Sequence, residues 1–430
     1  MTRWRATASL ARALTVGGLG IGIALVLGRP AVVVLVAPIV VAGAAALLAK
    51  PHTEPQVAAQ ASYAVLHEGQ GTTSRLRVER DDDVEFVTRV CASAAYIALR
   101  PPAGSLGHLA DRPVPILISP RRWGQRRIGE EKVGLFTPWA GYRWGPVALV
   151  GREVSVLPAS PTIRSAAAAP NPIGLIGAHR SRRDGDGTEF SSIREFHAGD
   201  RMRRINWRVS LRSSALHVVS TKSEEDTALL LVVDALADYG LSGGIDSTQS
   251  SLDVAMRAAA AIAEQYVRQG DRVSLRVVSP HGEYVGYGAG TRHLRRILGQ
   301  LSRVRPGLPH EVTVDQIDFR TAAGSMVVVL SPMLSEGMAT AAVRLLRRGL
   351  PVIVVDTLPD DAAATVSSET DPVIAALAWR MRLVERGEVL DRLAGAGCPV
   401  VPWNGPRTLD VIVRRLARRS QLPRAGVGAR

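Results

Sequence analysis

The sequence predicts a multi-domain chain: an N-terminal transmembrane helical hairpin, a small β-sandwich-like domain, then a doubly wound α/β domain. Three observations predict it. Two uncharged apolar runs, residues 13–28 and 31–49, stand back to back near the N-terminus. Short strand-like runs broken by Gly, Pro and Asp fill residues 56–158. From residue 226 onward, continuous apolar runs alternate with stretches of helical periodicity.

A helix needs about 20 apolar residues to cross a bilayer. The second run has that length, and the first reaches it by taking in Leu10 and Ala11, so the spans are set at about 10–28 and 31–49 of a hairpin covering residues 1–50. Only Arg29 and Pro30 part them, which leaves room for a turn and little else. Arg3, Arg5 and Arg12 precede the first span and Lys50 follows the second, so the positive-inside rule places both ends, and the soluble part, in the cytoplasm. No small-residue cleavage site follows the first run, which argues against a removed signal peptide. Gly18 and Gly22 form a GxxxG pattern that predicts close approach of the two helices.

The formal net charge of +14 invites a nucleic-acid reading. Three lysines stand against fifty arginines, however, and the arginines are scattered without an aromatic ladder. Attraction to an anionic inner leaflet is the more natural use of that charge in an anchored protein. Cys91 and Cys398 are the only cysteines, so no disulfide framework is expected. No C-x-x-C, H-E-x-x-H, Walker A, G-x-S-x-G or Rossmann fingerprint occurs, and the nine histidines are dispersed.

In the β-rich domain, residues 74–79, 84–90, 96–99, 114–118 and 153–157 read as strands. Residues 120–146 hold Trp123, Trp139 and Trp144, read as wedges between this domain and a neighbour. A Pro/Ala linker covers residues 159–176, and a charged segment covers 177–225. The α/β domain is set at 226–420, with a tail at 421–430. Strands are expected at 228–234, 272–278, 326–330, 351–355 and 399–401. Helices are expected at 252–268, with Ala255, Ala259, Ile262 and Val267 inward, around Leu294–Leu301, and at 337–348, 375–393 and 409–418. Apolar strands alternating with amphipathic helices imply a parallel sheet covered on both faces, with any ligand at the carboxyl ends of the strands.

The most specific stretch is residues 185–207, GDGTEFSSIREFHAGDRMRRINW. It closely resembles the signature of the domain of unknown function 58 family: G-x-G-x-E-F, then R-E-Y-x-x-G-D-x-x-R-x-I-N-W, then S-A-R. Gly185, Gly187, Glu189, Phe190, Arg194, Glu195, Gly199, Asp200, Arg203, Ile205, Asn206 and Trp207 match. Phe196 replaces the Tyr, and Ser210, Leu211 and Arg212 stand for S-A-R. Physically, the glycines allow positive φ, and Asp200 can bond backbone N–H groups just after Gly199. Glu189, Glu195 and Asp200 alternate with Arg194, Arg203, Arg208 and Arg212, which predicts a closed ion-pair network. Such a network either staples the segment down or forms a docking surface. Asp184, Asp186, Thr188 and Glu195 mimic a calcium loop, but Glu189 stands where that loop needs Gly.

The resemblance implies a von Willebrand factor A-like C-terminal domain, which can hold Mg²⁺ through a D-x-S-x-S sequence after its first strand. Here the sequence is Asp234-Ala235-Leu236-Ala237-Asp238. Leu236 cannot ligate, so Asp234 and Asp238 remain weak metal candidates and no cofactor is expected. The resemblance further implies work beside a MoxR-type AAA+ ATPase, as a non-enzymatic, membrane-anchored adaptor or scaffold in protein maturation or complex assembly. Two other classes are weighed: an enzyme using the carboxylates of the signature segment, and a structural protein of the cell envelope.

Overall fold

The computed structural model describes residues 3–405, apart from 62, 81, 103, 110–114, 150, 160–183, 198, 199, 223–227, 308–311, 323 and 364–370, together with residue 408. The expected linker and the expected helix at 409–418 lie outside the described residues. Two compact units result: residues 1–158 with 243–247, and residues 159–242 with 248–430.

The first unit begins with a short strand, β1 (Arg5–Ala6), followed by α1 (Ala8–Leu27) and α2 (Pro30–Leu48). Both helices are long and apolar enough to cross a membrane. The Thr7 hydroxyl oxygen caps α1 by accepting from the Leu10 N–H at 3.2 Å. Gly28 ends the helix with φ +61°, a left-handed conformation that glycine adopts without Cβ strain, and Pro30 starts α2 at its first turn.

The glycine pattern works differently from the expectation. Gly18 and Gly22 have nothing within 4 Å of where a Cβ would stand. The helices close instead over Gly17 and Gly20, where an added Cβ would meet Val40 at 2.9 Å and Val36 at 2.5 Å, and over Gly43, opposite Leu14 and Ala13. Spacing identifies a small-residue face but not the partner it turns toward.

Strands β2 (Gln56–Ala61), β3 (Val65–His67), β4 (Thr72–Glu79), β5 (Phe86–Cys91), β6 (Ile97–Arg100), β7 (Ser105–His108), β8 (Ile116–Pro120), β9 (Gly124–Arg127), β10 (Glu131–Phe136), β11 (Tyr142–Leu149) and β12 (Glu153–Leu157) follow. They form three sheets, in the orders β1-β11-β10-β5-β7, β2-β4-β8-β6 and β3-β12-β9. Inward side chains of the first two sheets, among them Leu76, Val87, Val133, Leu135 and Trp144, share one apolar cluster. In the tryptophan-rich stretch Trp144 lies on β11, Trp123 just before β9 and Trp139 on a 3₁₀ turn. Of these three, Trp123 and Trp144 are buried and Trp139 is exposed.

A buried cation is satisfied inside this region. The Arg89 guanidinium pairs with Glu131 and donates to the Ser74 carbonyl and hydroxyl oxygens, both at 2.6 Å. Arg152 joins it through Glu131 at 3.0 Å. Removing one partner from such a set is costly, because a buried charge is then left alone. The helical hairpin is tied to the same unit. The Thr7 N–H and hydroxyl donate to the Gly141 and Ala140 carbonyls, at 3.0 and 2.7 Å, and β1 pairs antiparallel with β11.

In the second unit, β13 (Asp184–Glu195) pairs antiparallel with β14 (His217–Lys222), and α3 (Trp207–Ser213) lies between them in sequence. β15 (Ala228–Asp234), α4 (Ser251–Arg268), β16 (Arg272–Val278), β17 (Tyr284–Gly288), α5 (Gly290–Leu301), β18 (Met326–Ser331), α6 (Glu336–Arg347), β19 (Val352–Asp356), α7 (Pro372–Gly395) and β20 (Val400–Pro402) then build a six-stranded sheet in the order β17-β16-β15-β18-β19-β20. All its pairings are parallel except that of the edge strand β17. Every residue of β15 is buried, as an apolar run flanked by strands on both sides requires.

Leu230 and Val232 of β15 pack with Met338 and Leu345 of α6 and with Val389 and Leu393 of α7. The alternate residues Leu229, Leu231 and Val233 point to the opposite face, and α4 contacts β15. Ala255, Ala259, Ile262 and Val267 of α4 are buried, as periodicity predicts. A Ser250–Asp253 capping box starts that helix.

The hairpin packing gives a test. Gly20→Leu is expected to slow disulfide formation between Ala13→Cys and Gly43→Cys in isolated membranes several-fold, whereas Gly18→Leu leaves the rate unchanged. Equal rates in the two variants would contradict the packing.

Candidate functional site

The signature segment folds as a strand, a turn, a short helix and a returning strand. β13 carries Gly185, Gly187, Glu189 and Phe190 in its backbone, and their side chains lie outside the described residues, as does Gly199. Arg194 and Asp200 meet as a bidentate pair, with nitrogen–oxygen distances of 2.8 and 2.7 Å. Asp200 also accepts from the His197 N–H at 2.8 Å, so it closes the turn that precedes it rather than capping the N–H groups that follow. The Arg194 hydrogen bonds, then that of His197, hold the Asp200 carboxyl down at about 2. Of the expected closed network the described residues show this pair, and the Glu189 side chain lies outside them. Among the described residues, Glu195, Arg203, Arg208 and Arg212 make no ion pair.

Asn206 caps α3, its side-chain oxygen accepting from the Val209 N–H at 3.2 Å. Its backbone N–H donates to the His217 carbonyl at 2.8 Å. Ser210 is the buried residue of the helix. Its hydroxyl donates to the Asn206 carbonyl at 2.9 Å and accepts from the His217 N–H at 2.8 Å. α3 is thereby fastened to β14 through its inner side, and its outer side is left to solvent. Trp207 is 62% exposed and Leu211 83%, while Met202, on the preceding 3₁₀ turn, is 78% exposed. A shallow groove of about 300 Å³ is lined by Trp207, Ser210, Leu211, Ser214, Ala215 and Leu216. Sequence reading found Trp207, and placed Ser210 and Leu211 only as counterparts of the S-A-R motif; it missed Met202 and the buried and exposed roles of Ser210 and Leu211, because a seven-residue helix is too short to show a period.

A second polar constellation sits at the carboxyl ends of the parallel strands. Asp234, at the end of β15, is buried; it accepts from the Ser331 hydroxyl at 2.6 Å and from the Leu236 N–H at 3.1 Å. Ser331 in turn accepts from the Met333 N–H at 3.0 Å. Asp238 accepts from the Leu252 N–H at 3.1 Å. Asp356, at the end of β19, pairs with Arg386 of α7, which also donates to the Pro332 carbonyl at 2.7 Å. Arg382, one turn earlier, donates to the Leu334 carbonyl at 2.9 Å.

These residues do not fit a divalent cation. Each oxygen of Asp234 already accepts a proton donor, Leu236 brings no ligand, and a guanidinium lies at the next strand end but one. Among the described residues no three His, Cys, Asp or Glu side chains are grouped as metal ligands. Burial pushes the Asp234 carboxyl up to about 6, against the pull of the Ser331 and Leu236 bonds.

Residues 192–371 match a family model described as "Protein of unknown function DUF58". The match opens inside β13, takes in Arg194, Asp200, α3 and the sheet through β19, and closes at Asp371, the cap of α7. No curated protein and no solved structure matches the chain. The DUF58 match thus spans both the exposed groove on α3 and the strand-end cluster around Asp234.

Two titrations check this geometry. Because the Asp200 carboxyl is depressed, its ion pair persists until the pH falls toward about 2, and Arg194→Gln is expected to return the midpoint toward the ordinary 3.8, read by carboxyl NMR. Asp234 runs the other way. Its folded carboxyl holds a proton more tightly than the unfolded chain, so stability falls as pH rises from 3.8 to about 6 and levels off above that. The span is worth roughly 3 kcal/mol. Asp234→Asn is expected to flatten this slope in urea unfolding of the solubilised chain.

Proposed function

We propose that this protein is a non-enzymatic, membrane-anchored adaptor whose soluble part lies on the cytoplasmic side. In this reading α1 and α2 cross the bilayer, and the C-terminal unit is a doubly wound, von Willebrand factor A-like domain that has lost its metal. The partner, implied by the family resemblance, is a MoxR-type AAA+ ATPase engaged in protein maturation or complex assembly. The observation that carries the reading is the exposed apolar set of Trp207 and Leu211 on α3, held rigidly by Ser210 and Asn206 inside the family-matched segment.

Two further observations support it. The mostly parallel sheet has the strand order expected of a doubly wound domain, with helices between its parallel strands. Glu195 makes no ion pair among the described residues and the Glu189 side chain lies outside them, but Asp200 is bonded by Arg194, Asp234 by Ser331 and Asp356 by Arg386. A general acid or base needs a proton path to substrate, and these groups spend their hydrogen-bonding capacity on the fold.

Co-purification tests the adaptor role. The full-length chain in detergent is expected to retain a co-expressed MoxR-type ATPase. The double variant Trp207→Ala/Leu211→Ala is expected to lose about tenfold of that capture, the usual scale for central apolar anchors. No retention by the wild-type chain would overturn the adaptor role, and turnover of a substrate by the purified chain alone would overturn the non-enzymatic reading.

A further inference from the structure

We infer that the turn between β10 and β11 rests in the headgroup layer of the bilayer, with the Trp139 indole at the edge of the hydrocarbon and the Arg5–Arg143 pair on a phospholipid phosphate. The inference rests on the reading that α1 and α2 cross the membrane. It names the residues outside the helices that meet the lipid.

Depth is the first argument. The turn, Pro138–Ala140, is fixed against the base of the hairpin. Thr7, the cap of α1, donates to the Ala140 and Gly141 carbonyls. Gly141 approaches α2 so closely that an added Cβ would stand 2.8 Å from Ala46. Ala46 lies in the last turn of α2, inside the apolar run that ends at Ala49. A hydrocarbon core of about 30 Å takes up about 20 helical residues, which is the whole of that run. With α2 across the bilayer, the turn therefore stands level with its final apolar turn, where hydrocarbon gives way to headgroups. Hairpin and turn belong to one compact unit.

The second argument is what the turn displays there. Trp139 is 62% exposed, while Trp123 and Trp144 are buried. Its φ is +60°, and that of Ala140 is +51°. Two successive non-glycine residues in the left-handed region persist only where their surroundings hold them, and such outliers gather at contact sites. Here the Thr7 hydroxyl holds the Ala140 carbonyl. The turn thus directs a large ring outward beside the helix ends. An indole suits that depth, because its body is apolar and its N–H is polar.

Charge is the third argument. β1 runs toward α1, and β11 runs antiparallel to it, with Arg5 directly opposite Arg143. Trp144 faces the apolar cluster, so its neighbour Arg143 faces away from it. Both arginines are exposed, and among the described residues neither makes an ion pair. Like charges directly opposite repel, so this pair calls for an anion. The neighbouring acids do not supply it. Asp83 accepts from the His52 and Thr53 N–H groups and the Thr53 hydroxyl, Glu85 pairs with His108, and Glu54 and Asp82 pair with neither arginine. Arg5 stands two residues before Thr7, about 7 Å farther from the helix along the strand. A headgroup layer is about 5–8 Å thick on each side of the core. The pair thus reaches the phosphates while Trp139 stands at their inner edge, and a guanidinium fork binds phosphate through two parallel hydrogen bonds.

The test places the full-length chain, labelled with fluorotryptophan, in phosphatidylglycerol nanodiscs. The fluorine resonance of residue 139 is identified by its loss in Trp139→Phe. A nitroxide carried high on the lipid chain is expected to broaden that resonance several-fold more than a gadolinium chelate in the water does. Short-chain phosphatidylglycerol, added to the chain in detergent, is expected to shift the same resonance, with its Kd raised about tenfold in Arg5→Gln/Arg143→Gln. Unchanged thermal melting of that variant shows that the fold is intact.

The inference is overturned if the chelate broadens residue 139 more than the lipid label does, if neither reaches it, or if the arginine variant binds the lipid as the wild type does. Inorganic phosphate that shifts the resonance as far as the lipid, at equal concentration, overturns the assignment to a headgroup. Carbonate extraction of membranes is read in parallel. A chain that resists extraction while Trp139 faces water leaves the two spans standing and removes the interfacial turn. A chain that carbonate releases removes both.

Discussion

Ser210 turns its hydroxyl away from water, and the groove above it depends on where that hydroxyl bonds. A buried polar group left unpaired costs about 1–3 kcal/mol. By bonding both the Asn206 carbonyl and the His217 N–H, Ser210 turns this cost into a fastening between α3 and β14. The same constraint recurs elsewhere. Asp234 is carried into the apolar floor of the sheet and bonds the Ser331 hydroxyl and the Leu236 N–H. Arg89 is enclosed by the β-rich sheets and bonds Glu131 and Ser74. In each case the buried polar group dictates its neighbours, and apolar burial fills in around it.

The elements that could be read from sequence were those with a strong period or a long apolar run. Strand 272–278 has the expected bounds, and the strands around 228–234, 326–331 and 352–356 fall within a residue or so of theirs. The helices at 251–268 and 336–347 shift by one residue. β9, β10 and β11 were missed because Gly, Pro and Arg interrupt their alternation, and the edge strand β17 because it is short and rich in Gly and Tyr. The site was half legible. The motif located Asp200, Asn206 and Trp207, and chemistry anticipated an arginine–carboxylate pair. Which arginine would find which carboxylate depends on the turn between β13 and α3, and local spacing does not encode that. Ser331 was passed over for a similar reason: its partner lies on another strand, 97 residues away in sequence.

The structure also sorts an arginine-rich composition into distinct uses. Arg89 and Arg386 are drawn inward and neutralised by a carboxylate and by carbonyls. Arg194 locks a surface turn. Arg208 and Arg212 remain outward beside apolar side chains. Guanidinium suits all of these settings, because it keeps its charge when buried and offers five donors in a fixed plane. Composition alone reports an excess of charge, whereas hydrogen-bond geometry tells which part of it a partner could meet.

The joint between β1 and β11 has a mechanical consequence. Arg5 and Ala6 lie alongside Arg143 and Tyr142, and Thr7 bonds straight on to residues 140 and 141 before the first helix begins. No slack chain separates helix from sheet. With α1 and α2 seated in lipid, the β-rich unit would inherit their tilt, and a load on that unit would pass into the bilayer as torque on the hairpin rather than being absorbed by a swivel.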